Sequence, residues 1–439
     1  MGKKLTGAIL KTAFAASALG FCLFADILGP HFPNIAGAMV GIISIPSIQT
    51  AAFLSIAIYF AFLTVLQDRG SSRGFPLVRI RNLILTGFLL LGALFHYSHR
   101  EILSQLTPSF GLLLGATLGK GMALCVDRGS RSCTVDFILL PVLVVGALWP
   151  DRDGAFHYRT ATRITGPWDS PNIFGMLMAT GVVLCVGRLM SLYSRDTVPG
   201  GLRTSQTTLL LGSLGLMCNG LTRSYSRGAW AGMVLGIAYL LFSQRAKRER
   251  IVGSSATQCL SLVPPALVVL LSIIVLSFWI FRFNESMTVV ARAFSAANAN
   301  DFSWRNRLAA YEGSLQMMTE KPLLGFGWDS LEPTYDQFYK PLQLQEGAAI
   351  QVSDWLAIGT ALGIPGLVSF AVFIWLSLAR NFPSSASTPR SQIALNCRAA
   401  AVVLVVGFFF NKGLFRIPTA AVFWTLLEVG NTRPASETE

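Results

Sequence analysis

Charge is scarce in this chain: Asp, Glu, Lys and Arg make up 13% of its 439 residues, about half the share of an ordinary soluble domain. A protein with so few charges and 52% apolar residues, at a mean hydropathy of +0.55, cannot clothe a water-exposed globule and reads as a membrane protein. Cysteine is present but unpaired in pattern: the seven, at 22, 125, 133, 185, 218, 259 and 397, lie in or beside apolar runs. That spacing indicates neither a disulfide framework nor a CxxC metal site. Only four histidines occur, of which His31, His96 and His99 have no motif around them and read as interfacial side chains. No internal repeat is visible. The net charge of +13 suggests nucleic acid in a soluble protein, but here the basic residues form short blocks between apolar runs, where they act as orientation signals. No nucleic-acid partner is expected.

Apolar runs of about 20 residues, the length of one bilayer crossing, predict helices near 8 to 28, 48 to 66, 80 to 95, 109 to 125, 134 to 150 and 171 to 190. A second set follows near 207 to 222, 228 to 243, 261 to 281, 354 to 378, 394 to 410 and 414 to 429. The expectation is an all-α polytopic membrane protein of about 12 transmembrane helices. Ile35 to Ile45 is too short to cross and ends at Pro46, as a re-entrant or interfacial segment would. Lys3, Lys4 and Lys11 precede an apolar run, which is read as the first helix rather than a signal peptide because no convincing cleavage site follows.

Assigning segments alternately, most of the lysines and arginines collect on the side that holds the N-terminus, including the block Arg245, Lys247, Arg248 and Arg250. The positive-inside rule then places both termini in the cytoplasm. The organisation is nine helices over 1–281, a long outer loop over 282–352, and three helices with a cytoplasmic tail over 353–439. The polar stretch Pro383 to Ser391 is a cytoplasmic linker. Connections are usually a handful of residues, so the long loop is expected to be functional or structured. Within it Trp304, Leu308, Tyr311, Leu315 and Met318 recur at helical spacing, predicting an amphipathic helix over 303–319 with Ser303 as N-cap and Pro322 beyond its end. Such a helix lies on the membrane surface or caps the helices beneath it.

The topology puts several arginines on the disfavoured outer side. Arg223 and Arg227, four residues apart, stand in Leu221 to Gly236, LTRSYSRGAWAGMVLG; Arg163 precedes the sixth helix, and Arg305 and Arg307 open the amphipathic helix. An arginine at a membrane boundary snorkels, pairs or binds an anion. Guanidinium binds phosphate as a bidentate fork and stays charged at any relevant pH, so converging arginines suit a lipid diphosphate. Gly228, Gly232 and Gly236, spaced by four, form a small-residue face for close approach of another helix.

Four segments carry a family resemblance. SYSRGAW resembles the serine-arginine-glycine turn of the O-antigen ligase and polysaccharide polymerase superfamily, and RITGPWDSPN, Arg163 to Asn172, resembles its segment ending in Pro-Asn. NRLAAYEGSLQMMTEKPLLGFG, Asn306 to Gly327, is similar to the long-loop signature, and LGIPGL, Leu362 to Leu367, to the stretch closing the following helix. The resemblance implies a GT-C-type, metal-independent glycosyltransferase without cofactor, in the bacterial inner membrane with the long loop periplasmic. It implies an undecaprenyl-diphosphate-linked glycan as donor and a glycan or lipid acceptor, as in lipopolysaccharide and polysaccharide biosynthesis. By the resemblance Arg227 and Arg307 contact the diphosphate and Asn172 has a structural role. Arg163, Arg223 and Arg305 join them from placement alone.

The chain departs from the family at one point. The ligases carry a His-Asn pair ahead of LGIPGL, the histidine being assigned to acceptor activation, whereas here Val352 and Ser353 fill those slots. Asp354 is the nearest carboxylate, either a base for the acceptor hydroxyl or an N-cap of its helix; Glu346 and His157 are more distant candidates. Asp151 and Asp153 form a DRD of the kind that can bind a divalent ion, but so short a motif in a polar loop carries little weight, and no metal is expected. Two alternatives to a ligase remain: a polymerase of the same superfamily, and a glycolipid flippase or transporter that only binds.

Overall fold

The computed structural model describes residues 138–150, 156–158, 161–193, 200–252, 302–341 apart from 329, 353–379 and 389–431, with isolated positions at 17, 19, 20, 22–24 and 119. The helices expected near 48 to 66, 80 to 95 and 261 to 281 and the short run 35 to 45 lie outside the described residues. Those near 8 to 28 and 109 to 125 are described only at the isolated positions.

The described elements, in order, are α1 (Leu140–Leu148), the short strands β1 (His157–Tyr158) and β2 (Ala161–Thr162), α2 (Pro171–Tyr193), α3 (Gly200–Arg223) and α4 (Arg227–Val252). They continue with α5 (Phe302–Glu320), the single turn α6 (Leu331–Thr334) running into a wide π-type turn at Tyr335–Tyr339, α7 (Asp354–Leu378), α8 (Pro389–Phe410) and α9 (Ile417–Asn431). The strands pair antiparallel, His157 opposite Thr162 and Tyr158 opposite Ala161. The described residues are thus mainly helical. Among them three stretches, Pro171–Leu192, Asp354–Leu378 and Ser391–Phe410, are long and apolar enough to cross a membrane.

Helix α2 is the centre. Phe174, Met176, Leu177, Met178, Val183, Leu184 and Val186 are all fully buried, as expected of a helix apolar on every side, with α3, α4 and α8 packed around it. The four-residue glycine spacing of α4 does what the sequence suggests. A side chain on Gly232 would come within 2.7 Å of the Val403 carbonyl oxygen, one on Gly236 within 2.9 Å of that of Ala399, and one on Gly228 within 2.8 Å of the Phe410 side chain. Without side chains at these three positions, α4 lies backbone against backbone on α8, the close packing that substitutes for the hydrophobic effect inside a bilayer.

Helix α7 is broken. Gly363 has φ 74° and ψ 179° and Pro365 follows, so the backbone groups around the break lose their intrahelical partners. The long loop replaces them. Phe326 N donates to Thr360 O at 2.9 Å, Gly327 N to Ala361 O at 3.0 Å, and Ile364 N to Pro322 O at 2.8 Å. This clasp joins two sequence motifs, PLLGFG and LGIPGL. A carbon on Gly363 would meet the Leu323 carbonyl carbon at 2.7 Å, and one on Gly325, at φ 72°, the Thr360 oxygen at 2.5 Å. At the other end of α7, the Leu378 carbonyl accepts from Tyr239 Oη at 2.7 Å and Arg398 Nη1 at 3.3 Å, satisfying a helix C-terminus with donors.

The long-loop helix forms over Phe302–Glu320, starting before Ser303, which therefore lies inside its first turn rather than capping it. Its apolar stripe is turned differently from a simple amphipathic packing. Leu308 and Leu315 face outward, while the buried face is built from Ala309, Ala310, Gly313, Ser314, Met317 and Met318. Small residues win because α5 sits close on its neighbours: Met318 reaches the space above Gly359 of α7, and Gly313 leaves room for the Tyr335 ring.

Candidate functional site

Between α3 and α4 the chain turns in three residues, Ser224, Tyr225 and Ser226. Tyr225 has φ 50° and is fully buried, a left-handed backbone that costs an ordinary residue roughly 1–2 kcal/mol. Local hydrogen bonds hold it: Ser224 Oγ donates to Leu221 O at 2.7 Å and accepts from Ser226 N at 3.2 Å, and Trp230 Nε1 donates to Leu221 O at 3.2 Å. Gly175 of α2 lets the turn sit down, since a carbon there would lie 2.6 Å from Ser224 Oγ.

Arg163 braces this turn from outside. Its Nε donates to Ser224 O and its Nη2 to Asn172 Oδ1, both at 2.9 Å, and Ile164 N donates to Arg223 O at 3.1 Å. The first two motifs of the resemblance in chain order are therefore one structure. Arg163 and Asn172 support the turn that presents Arg227. The helix dipoles then separate the two arginines of the turn. Arg223 ends α3, where the partial negative charge of a helix C-terminus favours a cation. Arg227 opens α4, at the positive end, where a cation is disfavoured and an anion is welcome.

The last residues of α8 gather the other parts. The Phe410 side chain packs on Gly228, next to Arg227. Phe409 O accepts from Tyr311 Oη of α5 at 2.8 Å, one turn beyond Arg307, and Phe408 O accepts from Ser353 Oγ at 3.3 Å, at the start of α7. Three consecutive residues thus meet α4, α5 and α7, bringing the half-buried Arg227 and Arg307 to one end of α8. Burial holds the Tyr311 hydroxyl above its ordinary value, with Arg307 pulling the other way, so it remains a donor at neutral pH. Arg305 and Arg223 are exposed. Arg305 is on the same turn of α5 as Arg307 but off the face that meets α7.

Asp354 does not cap its helix. Ser353 is the N-cap, its Oγ accepting from Leu356 N, and Asp354 is the first helical residue, 2% exposed. Its Oδ2 accepts from Gly413 N and Leu414 N, both at 2.7 Å, fixing the connection between α8 and α9. That connection carries two cations that no sequence motif singled out. Arg416 pairs with Asp169 at 2.9 Å. Lys412 is half-buried, and burial, then the neighbouring Arg416, hold its ammonium below the ordinary value while Glu332 and Asp354 act in the opposite sense. The signal for both was available: Lys412 and Arg416 fall on the outer side by the same alternation that distinguishes Arg223 and Arg227.

His157 is exposed in β1, next to the segment that carries Arg163. Val352, Glu346, Asp151 and Asp153 lie outside the described residues. Among the described residues no group of three or more His, Cys, Asp and Glu could hold a metal ion.

Residues 212–371 match the family model described as O-antigen ligase. The match runs from within α3, across the turn, α4, the long loop and the clasp, into α7; Arg163 and Asn172 lie before it. No curated protein and no solved structure matches the chain. Over that stretch the chain resembles the O-antigen ligases, as its motifs suggested.

Proposed function

Starting from an O-antigen ligase-like membrane protein, we propose that the chain is a glycan transferase that moves an oligo- or polysaccharide from undecaprenyl diphosphate to an acceptor hydroxyl. The observation that carries this reading is the convergence of the Arg227 and Arg307 segments on Phe408, Phe409 and Phe410 at the end of α8. The acceptor oxygen attacks the anomeric carbon as its bond to the phosphate oxygen breaks. The electron pair stays on the diphosphate, and the hydroxyl proton leaves to water at the mouth of the site. Arg227 and Arg307 meet the charge that grows on the leaving diphosphate, the electrostatic contribution that is largest in many enzymes.

In this proposal Arg163 and Asn172 hold the turn, Arg223 and Arg305 form an outer cationic rim that attracts the donor, and Asp354 positions the 411–416 connection. An aspartate that is 2% exposed and whose carboxylate accepts from two backbone N–H groups suits that role better than acceptor activation. The site lies on the periplasmic face of the bacterial inner membrane, with both termini cytoplasmic, on a GT-C-type framework of about 12 helices.

The test is release of free undecaprenyl diphosphate when purified protein is mixed with donor and acceptor. Arg227→Ala and Arg307→Ala are each expected to abolish release while the protein still inserts in the membrane. Release at the wild-type rate from either variant overturns the assignment. Binding of the donor by wild type without release, across several acceptors, favours a flippase or transporter instead.

A further inference from the structure

Helix α5 has three sectors, not two. One, of Ala309, Ala310, Gly313, Ser314, Met317 and Met318, is buried. A second, of Arg305, Glu312, Gln316 and Thr319, is polar and exposed. The third is apolar and also exposed: Leu315 is 55% accessible and Leu308, one heptad before it, is open too, with Trp304 and Tyr311 half-buried alongside. It runs on into the clasp turn, where Leu323 is 72% accessible and Leu324 is exposed. A helix in water facing its own bundle needs only two sectors. The third requires an apolar occupant.

The clasp says what that occupant is. Pro322 O accepts from Ile364 N, and the Leu323 backbone lies against Gly363, so the exposed leucines border Ile364. Ile364 is the first residue of an exposed apolar stripe on α7, continued by Val368, Val372 and Trp375, while Asp354 to Gly363 before it are buried apart from the half-buried Leu356. Helix α7 is apolar enough to cross a membrane, so that stripe faces acyl chains. The exposed leucines of α5 and the clasp turn extend this stripe beside Ile364, as an interfacial helix sunk about 5–10 Å into the headgroup boundary would.

We propose that α5 and the clasp turn form a lipid-contacting surface: Leu308, Leu315, Leu323 and Leu324 rest in the leaflet on the side of α7 where it breaks, continuous with its Ile364 to Trp375 stripe. The polar sector faces water and the small-residue sector faces the bundle. Three backbone groups of the clasp, Phe326 N, Gly327 N and Pro322 O, are paired with the broken helix, which lowers the cost of placing irregular backbone at this depth. Arg307 then stands where the buried sector meets the lipid sector. This surface does not depend on the transfer reaction.

The test uses the unmodified full chain in vesicles of phosphatidylethanolamine and phosphatidylglycerol, doped with a phospholipid carrying a photoactivatable diazirine in its acyl chain. Adducts are mapped by mass spectrometry, and a water-soluble diazirine is run in parallel. The expected result is lipid adducts on Leu308, Leu315, Leu323 and Leu324 at yields comparable to the Ile364 to Trp375 stripe, with Glu312 and Gln316 labelled by the water-soluble reagent. Lipid adducts on the α7 stripe with none between 304 and 324 overturn the proposal. So does labelling of the leucines by the water-soluble reagent, or by neither, the last meaning that protein covers them.

Discussion

The two sides of the candidate site hold their arginines by different means. Arg227 is aimed by a strained three-residue turn that side chains brace: Arg163, Asn172 and Ser224 supply the hydrogen bonds, and glycines on α2 and α4 let neighbours close in. Arg307 stands on a helix fixed by backbone pairing, with the clasp as the joint to α7 and a tyrosine as the tie to α8. Side-chain bracing is specific but local. Backbone pairing tolerates many side chains and depends on glycine where φ is positive.

That contrast makes graded predictions. The largest effect is expected from Gly363→Ala. A left-handed backbone costs the new residue about 1–2 kcal/mol, and its methyl would meet the Leu323 carbonyl, so a loss above about 2 kcal/mol is expected, seen as lower thermal stability in detergent and earlier proteolysis near 322–327. A change no larger than that at an exposed site would mean that the clasp is not the joint. Arg163→Ala should follow, at about 2 kcal/mol for hydrogen bonds made by a charged donor, with donor affinity falling through Arg227 while the loop side stays protease-resistant. Tyr311→Phe should lose about 1 kcal/mol, the net worth of one hydrogen bond, and slow transfer without changing donor affinity on the Arg227 side. The smallest change is expected from Asp354→Asn, because an amide oxygen still accepts from Gly413 N and Leu414 N. Transfer should stay within a few-fold of wild type, whereas a drop of about a hundredfold or more, the scale of a lost general base, would restore Asp354 as the base.

Much of the scaffold was legible in the chain. Helix α7 begins and ends where its apolar run does, and α2 exceeds the run near 171 to 190 by only three residues, because both are apolar throughout and bounded by polar turns. The glycine face of α4 was readable from spacing because close approach is the only thing such a stripe can do well. The rotation of α5 was not, since its leucines outrank alanine and glycine in any hydrophobic pattern, yet the face that packs is the one that lets backbones approach. Nor were the partners of Arg163 and Asp354: Ser224 and Gly413 are 61 and 59 residues away, and no local pattern encodes such a contact. The clasp joined two motifs that the sequence showed only as neighbours in order.

The central claim is that Arg227 and Arg307 grip one diphosphate at the end of α8. The most direct measurement is the affinity of the purified full chain for undecaprenyl diphosphate, in wild type, Arg227→Ala and Arg307→Ala. Removing one charge-assisted hydrogen bond costs about 1.5–3 kcal/mol, so each substitution should weaken binding by roughly ten- to a hundredfold. Wild-type affinity in either variant would contradict the account.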